Sequence, residues 1–349
     1  MSLNRCCTVI TVLIVFASAA EAAAQFDASA CARLAGHNID AETISLPTNG
    51  ARVTEASWQI EIESHGAYCR VLGSIAPVDP NAPTIHWQAN LPDIWNGKML
   101  QHGGGGFNGR IPRTLRHPTL SLTNVASPLA RGYVSFGSDS GHQSTSGSDA
   151  SFARNAEALA NYGYMHIKKT QDAVRNLVET AYRLPVERVY FSGGSTGGRE
   201  ALTAAIRWPD TYDGILSNYP SARFMGLRLW GAALTQAIYS DNSAGWIPPA
   251  LVERIAARAI ESCDGLDGAE DGLVSNIAAC RAQSDALIEE FRCADGEESV
   301  DCLNAIQVER TIGVYHNGYE LPYELAHGFR RYEGYNSLEG VLMSLGNQP

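Results

Sequence analysis

The stretch that most constrains this 349-residue chain is a serine set among glycines between a strand-like run and a helical run. Residues 189–191 are β-forming, residues 200–207 predict a helix, and Gly193-x-Ser195-x-Gly197 lies between them. Glycines let a strand and a helix approach closely, and the serine is then held in a strained backbone conformation. This setting matches the nucleophile-elbow pattern. An ordinary glycine-rich loop is the alternative, and the flanking elements favour the elbow.

A second glycine-rich stretch, His102 to Gly109, follows a strand-like run at residues 98–101. Four consecutive glycines cost backbone entropy, so they indicate that the main chain closely approaches a ligand. In folds that carry a nucleophile elbow, such a loop donates the second amide of the oxyanion hole. A flexible surface loop is the alternative. The run also matches a dinucleotide-binding fingerprint, but a glycine run matches almost any glycine motif.

The order of elements predicts an α/β fold. Strand-like runs at 84–89, 98–101, 132–137 and 214–217 alternate with helical runs, of which 161–182 has one apolar face. This alternation predicts a mostly parallel sheet with helices on its faces. Residues 25–219 are interpreted as this core, although residues 25–60 show little pattern. The composition changes afterwards, so residues 220–349 are predicted to form an inserted lid domain.

Asp139 and His142 follow the strand at 132–137 and lie three positions apart. In the elbow-bearing fold the catalytic acid and base follow the serine along the chain. We therefore expect Asp139 and His142 to line or brace the site rather than to catalyse. His166, on the helix at 161–182, is expected to be a packed or capping residue.

Residues 1–24 have the pattern of a signal peptide. Arg5 precedes an apolar run, Val9 to Ala17, that is too short to span a bilayer, and alanine-rich sites suggest cleavage before Gln25. A retained anchor is the alternative. The pattern predicts a secreted or periplasmic protein. The net charge of −11 argues against nucleic acid or an anionic membrane as a partner.

Six of the eight cysteines lie beyond this leader. An even number in an exported chain suggests three disulfides, for which about 15 pairings exist in principle. Proximity favours Cys263–Cys280 and Cys293–Cys302, which leaves Cys31–Cys69. Free buried thiols are the alternative.

Residues 263–273 form an acidic, glycine-rich loop. Asp264, Asp267 and Asp271 lie among glycines that disfavour a helix. Three close carboxylates repel one another unless a cation lies between them, and hard oxygen ligands suit Ca²⁺. The spacing differs from that of an EF-hand. A solvated acidic turn is the alternative.

Four segments together resemble the tannase and feruloyl esterase family of α/β-hydrolases: 102–109, 138–142, 193–199 and 263–280. The likeness extends from about Cys31 to Gly346. It implies a serine esterase with an α/β-hydrolase core and a large lid, acting on esters of aromatic acids such as gallate, ferulate or terephthalate. The partner would be a small-molecule or plant-polymer ester.

The resemblance assigns roles to individual residues. Ser195 would be the nucleophile, and the amides of Thr196 and Gly104 would form the oxyanion hole. A structural calcium ion in the lid would be held by five groups, namely the side chains of Asp264, Asp267 and Asp271 and the main-chain carbonyls of Ala269 and Leu273.

The chain departs from the family pattern at two places. The family carries a cysteine before the nucleophile, bridged to a cysteine after the catalytic histidine, whereas this chain has Gly194 there. After the elbow the only histidines are His316 and His327, both in lid-like sequence. The triad acid and base are therefore expected beyond Pro349.

Three hypotheses follow. The first is a secreted carboxylic ester hydrolase working through an acyl-enzyme, or the N-terminal part of one. The second is a truncated, catalytically incomplete relative that binds esters without turnover. The third, a calcium-dependent adhesion or lectin-like module, leaves the elbow unexplained.

Overall fold

The computed structural model describes residues 26–60, 65–116, 125–295 and 299–340. The predicted signal peptide, residues 1–24, lies outside these ranges. Two compact units divide the chain between Ala222 and Arg223. The sequence interpretation placed its boundary between residues 219 and 220.

The first unit is built on a mixed sheet of eight strands: β1 (Asn38–Ile39), β2 (Ala51–Gln59), β3 (Tyr68–Ile75), β4 (Ile85–Pro92), β5 (Lys98–His102), β6 (Val134–Ser138), β7 (Arg188–Gly194) and β8 (Gly214–Asn218). Their order across the sheet is β1-β2-β3-β4-β6-β5-β7-β8. The pairs from β1 to β4 and the β4–β6 pair are antiparallel. The four strands β6, β5, β7 and β8 are parallel to one another. The α/β class is confirmed, and the parallel part of the sheet carries the glycine-rich turns.

The segment that showed little pattern, residues 25–60, contains regular structure. It forms the short helix α1 (Ala28–Ala32) and the strands β1 and β2. In β2 the register shifts between Val53 and Glu55, and most of its side chains are not buried. A bulge breaks the two-residue alternation by which a strand is recognised. Pairing with β3 fixes β2 as a strand.

Three further α-helices belong to this unit: α2 (Ala156–Ala160), α3 (His166–Tyr182) and α4 (Thr196–Arg207). A π-helical turn, Asn161–Met165, joins α2 to α3. Ile167, Val174 and Leu177 on α3 are fully buried, as the apolar face predicted. They share one core with side chains of the central strands. Full burial of such a side chain contributes about 1.5–3 kcal/mol.

The register of β5 and β7 places the two glycine-rich turns side by side. These strands are parallel neighbours, and His102 at the end of β5 pairs with Ser192 near the end of β7. The chain therefore leaves both strands at the same edge of the sheet. That edge is where open α/β sheets bind ligands.

The second unit is mainly helical. It contains α5 (Phe224–Ser243), α6 (Pro249–Cys263), α7 (Ile277–Arg281), α8 (Ser284–Phe291), α9 (Gly313–Asn317) and a hairpin of β9 (Tyr319–Leu325) and β10 (Phe329–Tyr332). Its own apolar core includes Trp230, Leu234 and Ile255. Within the described ranges, no helix combines the length and apolar character needed to cross a membrane.

All three expected disulfides form. Cys31–Cys69 joins α1 to β3, Cys263–Cys280 joins α6 to α7, and Cys293–Cys302 closes a short loop after α8. The pairing predicted from proximity is therefore confirmed. Cys31 and Cys69 are both buried.

The disulfides are expected to differ in their effect on stability. Replacing Cys31 and Cys69 together by alanine opens a bridge spanning 38 residues, whereas Cys293 and Cys302 span 9. Loop-closure entropy predicts losses of about 4 and about 2.5 kcal/mol in the free energy of unfolding, respectively. Urea unfolding of the two double variants checks this order. A larger loss from the shorter bridge would contradict the entropic explanation.

Candidate active site

The predicted elbow is present between β7 and α4. Ser195 has φ 57° and ψ −120°, a backbone conformation that a non-glycine residue rarely adopts. Such strain costs about 1–3 kcal/mol and persists only where the surroundings fix it. Here the Ser195 amide donates to Asn218 O at 3.2 Å, and Ser195 O accepts from the amides of Arg199 and Ser221 at 3.1 and 3.0 Å. The half-buried serine is therefore held on both sides.

The glycines of the elbow are required by close packing. A Cβ on Gly193 would overlap the main chain of Gly197, and one on Gly197 would lie 2.8 Å from Gly104 O. A Cβ on Gly103 would lie 2.6 Å from the Gly197 Cα. The elbow and the glycine loop therefore fit together only as bare backbone.

Hydrogen bonds also join the two turns. The Gly103 amide donates to Ser192 O at 2.9 Å, and the Gly197 amide donates to Gly104 O at 3.0 Å. The Thr196 hydroxyl donates to Gly106 O at 2.6 Å. The glycine loop, residues 103–109, is thus an ordered part of this edge and lies against the start of α4.

The structure separates the two amides predicted for the oxyanion hole. Thr196 is the first residue of α4, so its N–H has no intrahelical acceptor and is available. The Gly104 N–H instead donates to Oε2 of Glu200 at 2.9 Å. An amide has one proton, so in this conformation the Gly104 N–H is engaged by Glu200, and its assignment to the oxyanion hole stays a prediction that this contact argues against. The assignments of Ser195 and Thr196 stay predictions, and the geometry is compatible with both.

Asp139 and His142 brace the loops rather than contact the serine. Asp139 Oδ1 accepts from the amides of His86 and Gly141 at 3.0 and 2.9 Å. Burial raises the pKa of this carboxyl. His142 stacks on Phe152 with ring centroids 3.9 Å apart, and burial lowers its pKa. The expectation that the pair lines or braces the site agrees with these contacts.

Ser195 lacks a general base in the part of the chain that the structure describes. Its Oγ forms no hydrogen bond among those residues. His166, the buried histidine of α3, is held by other groups: its Nδ1 lies 3.1 Å from Ser138 Oγ and its Nε2 3.4 Å from Glu200 Oε1. The expectation of a packed histidine agrees with these contacts.

Sequence reasoning missed the residue that lies beside Gly194. A Cβ at Gly194 would be 2.5 Å from the Tyr219 ring and hydroxyl. Tyr219 has φ 32°, a strained value for a bulky residue, and its side chain is two-thirds exposed. The tyrosine therefore occupies the space that the family's cysteine side chain would need. A glycine in place of that cysteine was the signal in the sequence.

The acidic loop forms turns in which carboxylates accept hydrogen bonds from nearby amides. Asp264 Oδ1 accepts from the Gly272 amide at 2.9 Å, Asp267 Oδ1 from that of Ala269 at 2.9 Å, and Asp271 Oδ1 from that of Leu273 at 3.0 Å. Among the described residues, no three acidic, histidine or cysteine groups converge to hold a metal ion. The predicted Ca²⁺, whose ligands would include main-chain carbonyls, stays a prediction.

The packing of the elbow predicts a contrast between two glycines. Gly193→Ala forces a Cβ into the Gly197 main chain and should lower the free energy of unfolding by about 1–3 kcal/mol. Gly105→Ala is the matched control because nothing lies within 4 Å of its Cβ position. The control should change stability by less than about 0.5 kcal/mol. Urea unfolding measures both, and equal stabilities would contradict the packing described above.

Comparison with known proteins agrees with this geometry. Residues 69–349 match the profile of the family described as tannase and feruloyl esterase. An uncharacterized esterase of Agrobacterium fabrum is 56% identical over 351 residues, which cover 99% of this chain and 64% of the relative. A probable feruloyl esterase B-2 of Aspergillus flavus is 28% identical over 267 residues, covering 76% of this chain and 47% of the relative.

A solved structure shares the fold. The crystal structure of feruloyl esterase B from Aspergillus oryzae superposes with a TM-score of 0.67 at 21% identity, covering 90% of this chain and 62% of that one. The chain thus spans less than two thirds of the length of each of these three proteins. Because the family profile matches most of the sequence, the chain belongs to the tannase and feruloyl esterase family.

Proposed function

We propose that this chain is the nucleophile-bearing part of a serine carboxylic ester hydrolase that acts on esters of aromatic acids. The observation that carries the proposal is the strained Ser195 on the elbow. Beside it lie the first amide of α4, which has no acceptor among the described residues, and an ordered glycine loop packed against that turn. Family membership and the names of the relatives, which include feruloyl esterases, support an ester as the substrate.

The proposed chemistry has two steps. Ser195 Oγ attacks the ester carbonyl, a base removes the hydroxyl proton, and the bond to the alcohol breaks to leave an acyl-serine. Water then attacks the acyl-serine and releases the acid. The Thr196 amide would stabilise the negative charge that develops on the carbonyl oxygen in both steps. The acid and base would come from the part of the relatives' length that this chain does not cover.

A catalytically incomplete relative is the second candidate. It is favoured by the absence of a base at Ser195 Oγ in the described residues and by Gly194 in place of the family's cysteine. Oxyanion stabilisation without a triad leaves about 10³–10⁴-fold catalysis over water in a comparable enzyme. Such a protein would bind aromatic esters without turnover beyond this residual level.

Export is part of the proposal. Three disulfides support an oxidising compartment, and the leader-like residues 1–24 support secretion or a periplasmic location.

A fluorophosphonate probe separates the two functional candidates, because labelling requires an activated serine. In a protein that spans the whole length of the relatives, the first candidate predicts labelling of the wild type and its loss in Ser195→Ala, together with loss of turnover of a chromogenic aryl ester. Ser57→Ala, on β2 near the opposite edge of the sheet, is the control and should label normally. Undiminished turnover in Ser195→Ala would show that Ser195 is not the nucleophile. Absence of labelling in the wild type would favour the incomplete relative.

We also propose that the acidic loop binds Ca²⁺ by exchanging its carboxylate–amide hydrogen bonds for metal ligation. A chelator should then lower the melting temperature, because an ion bound only by the folded state stabilises it. Asp267→Asn should weaken this dependence. Asp285→Asn, in the first turn of α8, is the control and should retain it. An identical melting temperature with and without chelator would rule out the proposed Ca²⁺ binding.

A further inference from the structure

We propose that Glu200 is a positioning residue for the glycine loop: its buried carboxylate fixes residues 104–108 against the first turn of α4 and leaves the Gly105 amide, in place of that of Gly104, to face the nucleophile. The catalytic consequence rests on the function proposed above. The positioning itself does not depend on it.

The Glu200 carboxylate accepts hydrogen bonds from two positions in the glycine loop. Its side chain is fully buried on α4. Oε2 accepts from the Gly104 amide at 2.9 Å, and Oε1 accepts from the Asn108 side-chain amide at 2.6 Å. Asn108 is itself buried and has φ 60°, so the chain turns back beneath Gly104. The carboxylate therefore joins the beginning of the loop to its end.

Thr196 and Glu200 act on the loop from the same face of the helix. Residues four apart in a helix lie one above the other. The Thr196 hydroxyl donates to Gly106 O. One turn further along the helix, the Glu200 carboxylate accepts from the Gly104 amide. The residue that carries the available amide and the residue that fixes the loop thus belong to one rigid helical turn.

The buried carboxylate has the partners that such a group needs. A charge removed from water is very unfavourable unless it is paired and hydrogen-bonded. His166 Nε2 lies 3.4 Å from Oε1, and Ser138 Oγ holds the other ring nitrogen at 3.1 Å. Burial alone would raise the pKa of Glu200, but His166, Arg199 and Asn108 outweigh it, and the pKa lies below its ordinary value. Glu200 is therefore ionised at neutral pH.

The orientation of one peptide group links Glu200 to the oxyanion hole. Gly104 O points at the Gly197 amide, 3.0 Å away. The structure contains no cis peptide among the described residues, and in a planar trans peptide the C=O and the following N–H point in opposite directions. The Gly105 N–H therefore points in the direction opposite to the Gly197 amide and is not used in the contact with α4. It has no acceptor among the described residues, and nothing lies within 4 Å of the Gly105 Cβ position.

Hydrogen exchange tests the positioning without requiring activity. In Glu200→Ala, amides in residues 103–109 should exchange about 10-fold faster or more, because a hydrogen bond to a charged group is lost. Asp172→Asn is the control. Asp172 accepts from the Ser45 amide at 3.0 Å, so this substitution should speed exchange in the segment around Ser45 and leave residues 103–109 unchanged. Unchanged exchange in residues 103–109 of a folded Glu200→Ala protein would overturn the proposal.

The isosteric Glu200→Gln variant covers the case in which the alanine variant does not fold. It keeps an oxygen acceptor for Gly104 and removes the charge, so the hydrogen bond should weaken. In protein labelled with ¹⁵N-glycine, the Gly104 amide proton should move upfield, whereas that of Gly132, which donates to Leu129 O, should not. An unmoved Gly104 resonance would contradict the contact.

Kinetics then separates this proposal from the proposed function. If the wild type hydrolyses aryl esters, Glu200→Gln should lower kcat by about 10-fold and change KM little, since the oxyanion donors act in the transition state. A wild type without turnover whose Glu200 variants still show faster exchange would refute the esterase and leave the positioning intact. Normal kcat in Glu200→Gln together with unchanged exchange would refute the positioning alone.

Discussion

The hydrogen bonds between the first turn of α4 and the glycine loop hold the candidate site together, and the rest of the first unit positions that contact. The Gly197 amide meets Gly104 O, the Thr196 hydroxyl meets Gly106 O, and the Glu200 carboxylate meets the Gly104 amide. These contacts require two backbones to approach without side chains, which explains the glycines on both sides. The strained conformation of Ser195 persists because this packing and the segment after β8 fix it.

Sequence patterns predicted the features that depend on residues close together along the chain. The elbow follows from glycines flanking a serine between a strand and a helix, and the structure has that turn at Ser195. The two disulfides of the second unit join cysteines only 17 and 9 positions apart, so proximity sufficed. β2 was missed because its bulge breaks the alternation and pairing with β3 decides its conformation.

The hydrogen bond made by the Gly104 amide has a physical cause that no local pattern in the sequence carries. The amide is taken by Glu200, a residue 96 positions away in the sequence. An acidic residue near the start of a helix is ordinarily interpreted as a favourable partner of the helix dipole. Only the fold shows that Glu200 faces inward and accepts from the loop. The position of Tyr219 beside Gly194 is likewise set by the pairing of β7 with β8.

Family membership and site geometry both agree with the proposed ester hydrolysis. The sequence profile relates most of the chain to tannases and feruloyl esterases. The structure places a strained serine beside the first amide of α4, which has no acceptor in the described part of the chain. Gly194 and Tyr219 distinguish this chain from the family pattern at the residue before the nucleophile. In this chain hydrogen bonds and packing hold the elbow, and the Tyr219 ring lies against Gly194.

A crystal structure of the fluorophosphonate adduct is the measurement that tests the central claim most directly. It should show phosphorus on Ser195 Oγ, with the phosphoryl oxygen about 2.7–3.1 Å from the Thr196 and Gly105 amides and the Glu200–Gly104 hydrogen bond retained. Phosphorus on another residue, or a phosphoryl oxygen directed away from the glycine loop, would contradict it.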